Sequence, residues 1–476
     1  MLKYRAMLAA LALLLLVLAP DVAAAQATQT PSRASSTDVD LRTPPSPTIQ
    51  SAPQTVFPVP VPPPQPGRPA QLFEFHPLFG ISEQYSDNFN RTVSDHTDNF
   101  RTMVSPGMNV LLESAFLSGG ATYTLSGFHD SSVGDFGYFN TFAGHLFWQA
   151  APRLRLLATA GVNQSDQPEQ ADSLGLQVAR SRFTTANGSL SADWTIDILT
   201  LTPHYRVSFF SAEKGPDTLT QQLGAKALLS IAQIHTLALG YESVVSESSA
   251  TNGPKTASNI VGNQFTGAFS RDLSVHTTAG ISGSYALRTQ DVRLPDAQTD
   301  FTLWSGAVFV NYAVANRIVI RANLGASELS TDQTHRGPIV TTESSLSYWF
   351  GRAVATVGFD RGFAETFLGG QNQGVVLTTG GRALLSYEIT PPISLLVNFS
   401  YRENEFTGVG GTPTPIAGNA SSTRTDRVLT GGLQLSYQIL RWLGTSLEYS
   451  YWRTEQSDVA GTVVENRVRL SLNAAF

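Results

Sequence analysis

Six charged side chains stand on the polar positions of segments in which apolar and polar residues alternate. They are Arg321, Arg382, Arg402, Glu448, Arg467 and Arg469. The planar guanidinium fork of arginine binds carboxylates and sugar hydroxyls. One interpretation is that these side chains line a passage for anionic or polyhydroxylated solutes. The other is that the arginines pair with Glu448 and further acids and fill the interior of the fold.

The histidines offer little sign of catalysis. His145, His204, His235 and His276 lie on predicted strands. A membrane lipase or acyltransferase would need a serine and a histidine to meet at the rim of the fold. No neighbouring motif marks a nucleophile, and no two histidines have the i, i+4 spacing of a helical zinc site. We therefore predict interior or interface histidines, no catalytic residue and no enzyme.

Metal and cofactor chemistry is equally weakly indicated. Asp87, Asp95 and Asp98 could hold calcium through carboxylate oxygens, but solvated loop carboxylates are the favoured interpretation. The chain contains no cysteine, which excludes a disulfide framework and a thiolate metal site. We predict no metal site and no cofactor.

Composition favours a surface that faces lipid. Only 14% of the 476 residues are charged, against about 25% in soluble domains, while 39 glycines and 10% aromatic residues are present. The formal net charge is −6, and no basic patch indicates a nucleic-acid partner.

The N-terminal region predicts export. Lys3 and Arg5 precede an apolar run that ends in small residues, as in a signal peptide cleaved after residue 25. A transmembrane anchor is the alternative, but the run is shorter than the roughly 20 residues needed. Residues 26–72 are rich in proline, with eleven of the 26 prolines in 41–70, and predict a disordered periplasmic leader.

From Phe73 to Phe476 the chain repeats one pattern, a strand followed by a turn. In segments 318–326, 393–402 and 443–451, apolar residues take every second position and mostly polar residues the positions between. A period of two over nine residues indicates a strand with one apolar face.

The connections between these strands alternate between short and long. Short ones include 151–153, 315–316, 351–352, 391–392 and 440–441, with one more around Gln233. Ten long polar loops lie near residues 86–98, 131–137, 165–177, 212–217, 247–257, 288–298, 329–338, 367–374, 404–424 and 456–462. This asymmetry is typical of outer-membrane barrels. It predicts an all-β transmembrane antiparallel up-and-down β-barrel of about 18 to 20 strands, with an even strand number.

The last residues supply a closing strand. Val468, Leu470 and Leu472 alternate with polar residues up to the terminal Phe476. Hydrocarbon cannot hydrogen-bond a free sheet edge, so the last strand must pair with the first. We expect Phe476 in the aromatic belt at the periplasmic rim, and the alternation with a terminal Phe resembles the signal read by the barrel assembly machinery.

The stretch HPLFGISEQYSDNFNRTVSDHTDNFRTMVSPGMNV, residues 76–110, resembles the start of the β-barrel porin type 2 group. The shared features are Tyr85-Ser86-Asp87-Asn88 after an apolar strand, a second Asp98-Asn99, and Ser105-Pro106-Gly107. The resemblance implies an outer-membrane barrel from a group associated with exopolysaccharide and PEP-CTERM systems, without catalytic residues. The proline-rich leader is not part of that pattern.

Together these features predict a channel in the outer membrane of a Gram-negative bacterium, contacting lipid. It would be a passive porin or an exopolysaccharide export conduit, wide enough for water at 18 to 20 strands. Loop 404–426 could fold inward and narrow it. The alternatives are a structural or adhesive barrel whose loops bind a partner and, less favoured, a membrane enzyme.

Overall fold

The computed structural model describes residues 73–114, 116–132, 134–168, 180–213, 217–249, 258–292, 300–314, 317–331, 335–368, 371–406, 424–457 and 461–476. No helix among them is long and apolar enough to cross a membrane. The predicted signal peptide and leader, residues 1–72, lie outside the described residues, and β1 begins at Phe73.

Twenty strands account for most of the described chain. They are β1 Phe73–Ser86, β2 Asn99–Glu113, β3 Leu117–Asp130, β4 Asp135–Ala151, β5 Leu154–Ser165, β6 Phe183–Ile196, β7 Leu199–Ala212, β8 Asp217–Ile231, β9 His235–Ser249, β10 Ser258–Ser274, β11 Thr277–Val292, β12 Phe301–Val314, β13 Ile318–Thr331, β14 His335–Phe350, β15 Ala353–Leu368, β16 Gln371–Thr390, β17 Ile393–Phe406, β18 Thr425–Leu440, β19 Leu443–Gln456 and β20 Thr462–Ala475.

The strands form one closed antiparallel sheet. Each strand pairs with its neighbours along the chain, and β1 also pairs with β20 from Leu78 opposite Ala475 to Ser86 opposite Arg467. Closure leaves no unpaired edge, as a sheet in hydrocarbon requires. The predicted up-and-down barrel is confirmed, and its strand number is the upper value of the predicted range.

The connections divide between two ends of the barrel. Those that follow even-numbered strands form the turn end, for example residues 391–392 between β16 and β17. Those that follow odd-numbered strands form the loop end, where the longest runs from 407 to 424. The alternation of short and long connections predicted from the sequence is confirmed for most of the barrel. It fails after β13 and β15, where only three and two residues separate the strands, because most of the predicted loops 329–338 and 367–374 belongs to the strands themselves.

The outer face of the barrel carries an apolar belt. On β13 the outward positions from Ile318 to Ala326 are uncharged, and the next outward residue is Glu328. On β17 and β19 the corresponding uncharged positions run from Ile393 to Tyr401 and from Leu443 to Tyr451. Nine residues on each strand match the roughly 9 to 11 that a tilted strand needs to cross a bilayer.

Charged pairs mark the loop-side limit of this belt. Glu403 of β17 and Arg427 of β18 face outward opposite each other, with 3.0 Å between the guanidinium Nε and the carboxylate. Arg453 and Glu455 form a second pair on β19. Ionised groups on a lipid-facing surface are tolerated near an interface and costly at the midplane, so these pairs place the edge of the belt beside them.

Aromatic side chains mark the opposite limit, at the turn end. Trp148, Trp194 and Phe350 are exposed on outward positions there. Phe476 is 61% exposed, and its ring stacks on Trp442 with centroids 5.4 Å apart. The terminal residue thus lies at the aromatic rim of the turn end.

Candidate functional site

A cavity of about 2440 Å³ lies inside the barrel, walled by residues from all twenty strands. We call this cavity the lumen. Its wall includes Pro391 and Arg441 at the turn end, and Thr218 and Arg288 at the loop end. The lumen therefore extends between the two ends of the sheet.

Positive charge predominates on the lumen wall. Among its described residues, strand register turns nine arginine and lysine side chains inward, against four carboxylates. The cations are Arg101, Arg155, Arg206, Lys226, Arg288, Arg321, Arg382, Arg402 and Arg469; the carboxylates are Asp193, Glu242, Glu343 and Asp360. Strand register also turns further carboxylates inward, among them Asp130, Asp272, Asp426, Glu448 and Glu465, so the excess of cations belongs to the cavity lining and not to the whole inner face. Such a wall raises the local concentration of anions.

Hydroxyl groups cover much of the remaining wall. Inward serine and threonine side chains on adjacent strands approach each other within hydrogen-bond distance. The pairs are Ser105–Ser126 at 2.8 Å, Thr159–Ser189 at 2.7 Å, Thr220–Ser246 at 2.9 Å, Ser284–Ser305 at 2.7 Å and Ser400–Thr430 at 2.7 Å. Each hydroxyl keeps lone pairs for a further partner. The wall can therefore hydrogen-bond to water or to a polyhydroxylated solute.

The six charged residues singled out from the sequence all point inward. Arg321, Arg382, Arg402 and Arg469 contribute to the lumen wall. Glu448 lies opposite Arg469 in the β19–β20 pair. Arg467 donates to Ser450 Oγ at 3.0 Å and to Gln167 Oε1 at 3.2 Å. The structure thus places four of the six on the wall and the other two beside polar neighbours of the inner face.

A buried charged cluster occupies one side of the loop end. Its members, here called the mouth cluster, are Arg91, Arg101, Asp130, Asp166, Arg180 and Glu465. They come from the loop after β1, from β2, β3 and β20, and from the segment between β5 and β6. Five elements of the fold therefore meet at this point.

Arg101 is the centre of one half of the mouth cluster. Its guanidinium donates to Asp130 through Nε and Nη2, both at 2.7 Å, and to Asp166 through Nη1 and Nη2, at 3.0 and 2.7 Å. The Arg101 side chain is only 3% exposed. Such paired, charge-assisted hydrogen bonds compensate the cost of burying the charges.

Glu465 is the centre of the other half. It accepts hydrogen bonds from Arg91 Nε at 2.7 Å, from Arg180 Nη2 at 2.5 Å and from Ser86 Oγ at 2.8 Å. Arg180 also donates through Nε to the Phe89 carbonyl oxygen. The two loops that supply Arg91 and Arg180 are thereby joined to the wall at β20.

Aromatic rings cover the arginines of the mouth cluster. The guanidinium carbon of Arg91 lies 4.2 Å from the ring centroid of Trp452, and that of Arg101 lies 4.5 Å from Phe128. Cations over aromatic faces are attracted by the ring quadrupole, by up to about 2 kcal/mol when desolvated. The loop after β1 therefore folds inward and is fixed there. The sequence had indicated loop 404–426 for this role, but its residues 407–423 lie outside the described residues.

Charge balance in the mouth cluster is visible at Asp166, which follows the end of β5. Burial by itself would raise the pKa of this carboxyl group. The hydrogen bonds and charge of Arg101 and the charge of Arg180 outweigh burial and hold the Asp166 pKa below its usual value. The carboxylate is therefore ionised throughout the neutral range.

Several of the histidines and loop aspartates singled out from the sequence contact individual side chains or backbone groups of the barrel. His204 Nε2 lies 3.3 Å from a carboxylate oxygen of Glu242, on the lumen wall, and the His235 ring stacks on Phe269. Asp87 accepts hydrogen bonds from the backbone N and the Nδ2 of Asn466, at 2.7 and 2.6 Å. Among the described residues, no group of three histidine or acidic side chains could hold a metal ion.

Sequence reasoning missed the mouth cluster altogether. Arg101 and Asp130 each stand beside a strand end and are typical of solvated loop borders. The alternation does place Arg101 on the same face as Met103 and Ser105 of β2, so it could have indicated an inward arginine. Its partners, at separations of 29 and 65 residues, have no local signal.

Comparison with known proteins supports the architecture. No family model matches the chain, and no curated protein sequence matches it. Among solved structures, the apoprotein form of the FrpB iron transporter from Neisseria meningitidis (F5-1 variant) has 10% identity, covers 84% of this chain and 81% of its own, and has a TM-score of 0.53.

Two further structures show the range of similarity. The siderophore receptor PirA from Pseudomonas aeruginosa has 12% identity, coverage of 86% and 81%, and a TM-score of 0.45. A BenF-like porin from Pseudomonas fluorescens Pf-5 has 11% identity, coverage of 85% and 99%, and a TM-score of 0.39. At such identities the likeness to FrpB concerns the fold alone.

Proposed function

We propose that the protein is an outer-membrane channel of a Gram-negative bacterium that passes anionic or polyhydroxylated solutes. The observation that carries this proposal is the lumen, whose cationic, hydroxyl-rich wall extends between the two barrel ends. The apolar belt and its aromatic rim support insertion in a bilayer. The loop end then faces the exterior, and the proline-rich leader lies in the periplasm.

The wall chemistry distinguishes between solute classes. Fixed cations repel cations and concentrate anions, which sets ion selectivity in wide pores. Hydroxyl pairs such as Thr159–Ser189 and Ser284–Ser305 offer neutral hydrogen bonds to sugars. An acidic exopolysaccharide combines both chemistries, so export of such a polymer is the more specific form of this proposal. Barrel assembly machinery would insert the protein through the β20 segment that ends at Phe476.

Planar bilayers test the channel directly. Purified, folded protein should give conductance steps, with a reversal potential under a salt gradient that indicates anion preference. Changing Arg321, Arg382 and Arg402 together to serine should move the reversal potential toward cation preference. A matched control changes the outward-facing Arg271, Arg427 and Arg453 to serine, which removes the same charge from the outer face.

Two outcomes would contradict different parts of this proposal. Absence of conductance in folded wild-type protein would contradict the channel proposal. If the lumen variant and the control conduct with the same selectivity, the channel proposal stands, but Arg321, Arg382 and Arg402 do not line the path of the ions.

A structural or adhesive barrel is the second candidate, favoured by one observation. The mouth cluster fixes the loop after β1 inside the loop end, where it takes up part of the entrance. A barrel of this kind would give no conductance. Its exterior loops would instead bind a partner, which surface pull-down with loop-deleted variants would detect.

A further inference from the structure

Inward-facing glycines recur on the lumen wall opposite long side chains. In each case the glycine and the long residue are direct partners in neighbouring strands. The pairs include Gly120–His145, Gly161–Asn187, Gly262–Arg288, Gly280–Phe309, Gly358–Arg382 and Gly432–Asn398. Recurrence on six strand pairs shows that the arrangement is a property of the wall.

The long side chains lie flat over these glycines. A methyl carbon added at Gly358 would lie 2.9 Å from Nε and 3.2 Å from Cγ of Arg382. At Gly262 it would lie 2.3 Å from Cδ of Arg288. Real contacts of this kind are longer, so even alanine would force the arginine away. Only glycine lets another group approach the strand so closely.

An open glycine occurs on the same wall. Gly362 is also inward-facing on β15, opposite Thr378, and an added methyl group there meets nothing within 4 Å. It is four residues from Gly358 on the same strand. The two glycines therefore differ in the side chain that covers them, which makes one a control for the other.

We propose that Gly358 is a positioning residue that keeps the Arg382 guanidinium against the wall and thereby sets the width of the lumen. This inference rests on the proposed channel function. A side chain at position 358 pushes Arg382 off the β15 surface. The wall blocks movement outward, so the displaced guanidinium extends toward the lumen axis and reduces the cross-section open to ions.

A methyl group at position 358 would displace the Arg382 side chain and not the backbone. The two closest atoms belong to flexible Arg382, while the nearest backbone atom, the Ser344 oxygen, is at an ordinary 3.5 Å. Gly224 is less suitable for a test, because an added methyl group there would lie 2.7 Å from the Tyr241 backbone oxygen. Gly358→Ala is therefore expected to leave the sheet intact and to move Arg382.

Single-channel recording tests the proposal with five proteins of full length. These are wild type, Gly358→Ala, Gly362→Ala, Arg382→Ser and the double variant Gly358→Ala with Arg382→Ser, each confirmed as folded by heat-modifiable migration. We expect lower unit conductance for Gly358→Ala than for wild type, whereas Gly362→Ala should match wild type. The double variant should match Arg382→Ser, because the group that position 358 displaces is absent from both.

Three outcomes would overturn or separate the proposals. Equal conductance of Gly358→Ala and Gly362→Ala would contradict the positioning role while leaving the channel in place. A double variant that conducts less than Arg382→Ser would assign the loss to the backbone rather than to the Arg382 side chain, and would also contradict the positioning role. Absence of conductance in wild type would instead contradict the channel function itself.

Discussion

Arg101 on β2 and Asp166 after β5 lie 65 positions apart in sequence, yet Nη2 of the arginine donates to Oδ2 of the aspartate over 2.7 Å. The bond joins a barrel strand to the segment that follows β5. Together with the Arg180–Glu465 and Arg91–Glu465 pairs, it ties the loop after β1 and the segment after β5 to the inner wall at the loop end. The entrance is therefore shaped by fixed loops on one side.

Removing the central arginine should destabilise the barrel strongly. Arg101→Met leaves the Asp130 and Asp166 carboxylates buried beside each other, and the loss of one partner from a buried ion pair costs about 3 to 5 kcal/mol. Urea unfolding in lipid vesicles, followed by tryptophan fluorescence, measures this loss. The control Arg155→Met removes an exposed pair with Asp193, where about 0 to 1 kcal/mol is expected. Equal effects of the two substitutions would contradict the structural role of the mouth cluster.

Low pH should weaken the contribution of Asp166 to the stability of the folded protein. Its folded-state pKa is depressed, so the carboxylate contributes its full stabilisation above the unfolded-state pKa of about 3.9. That contribution is lost as the pH falls through the lower folded-state pKa. The pH dependence of the unfolding midpoint should therefore be shallower in acid for Asp166→Asn than for wild type. Identical slopes for Asp166→Asn and wild type would refute the assignment.

Damage to the terminal residue should block assembly. The Phe476 backbone nitrogen donates to the Pro77 oxygen at 3.0 Å, and its ring stacks on Trp442. Phe476→Asp adds a charge at the aromatic rim, while deletion removes the contact with β1. We expect both variants to lose heat-modifiable migration and insertion, and Phe476→Tyr to retain them. Normal insertion of Phe476→Asp would show that the terminus is not an assembly signal.

Removal of the leader should leave the barrel folded. Because β1 begins at Phe73, deletion of residues 26–72 is expected to preserve heat-modifiable migration and the urea midpoint. Extending the deletion through Phe79 removes half of β1 and should abolish both. If the protein that lacks only residues 26–72 no longer reaches the outer membrane, the leader is an assembly element.

Much of the architecture follows from the sequence, because a strand in a bilayer is under local constraints. Alternation with a period of two assigns each side chain to a face, which placed Arg321, Arg382 and Arg402 inward before any pairing was known. The alternation of loop lengths assigns each strand a direction, and the need to close the sheet makes the number of strands even. These constraints left 18 and 20 strands open, because boundary uncertainty of a few residues can merge or split a hairpin.

Only the tertiary structure decided which inward side chains meet. Period-two patterning specifies a face but not a height or a neighbour, because these depend on the register between strands. Register sets Arg382 over Gly358 and Glu448 opposite Arg469. It also brings Glu465 beside Arg91, 374 positions away, since closing the barrel joins the two ends of the chain. Such contacts depend on the closed sheet as a whole, so no local stretch of sequence encodes them.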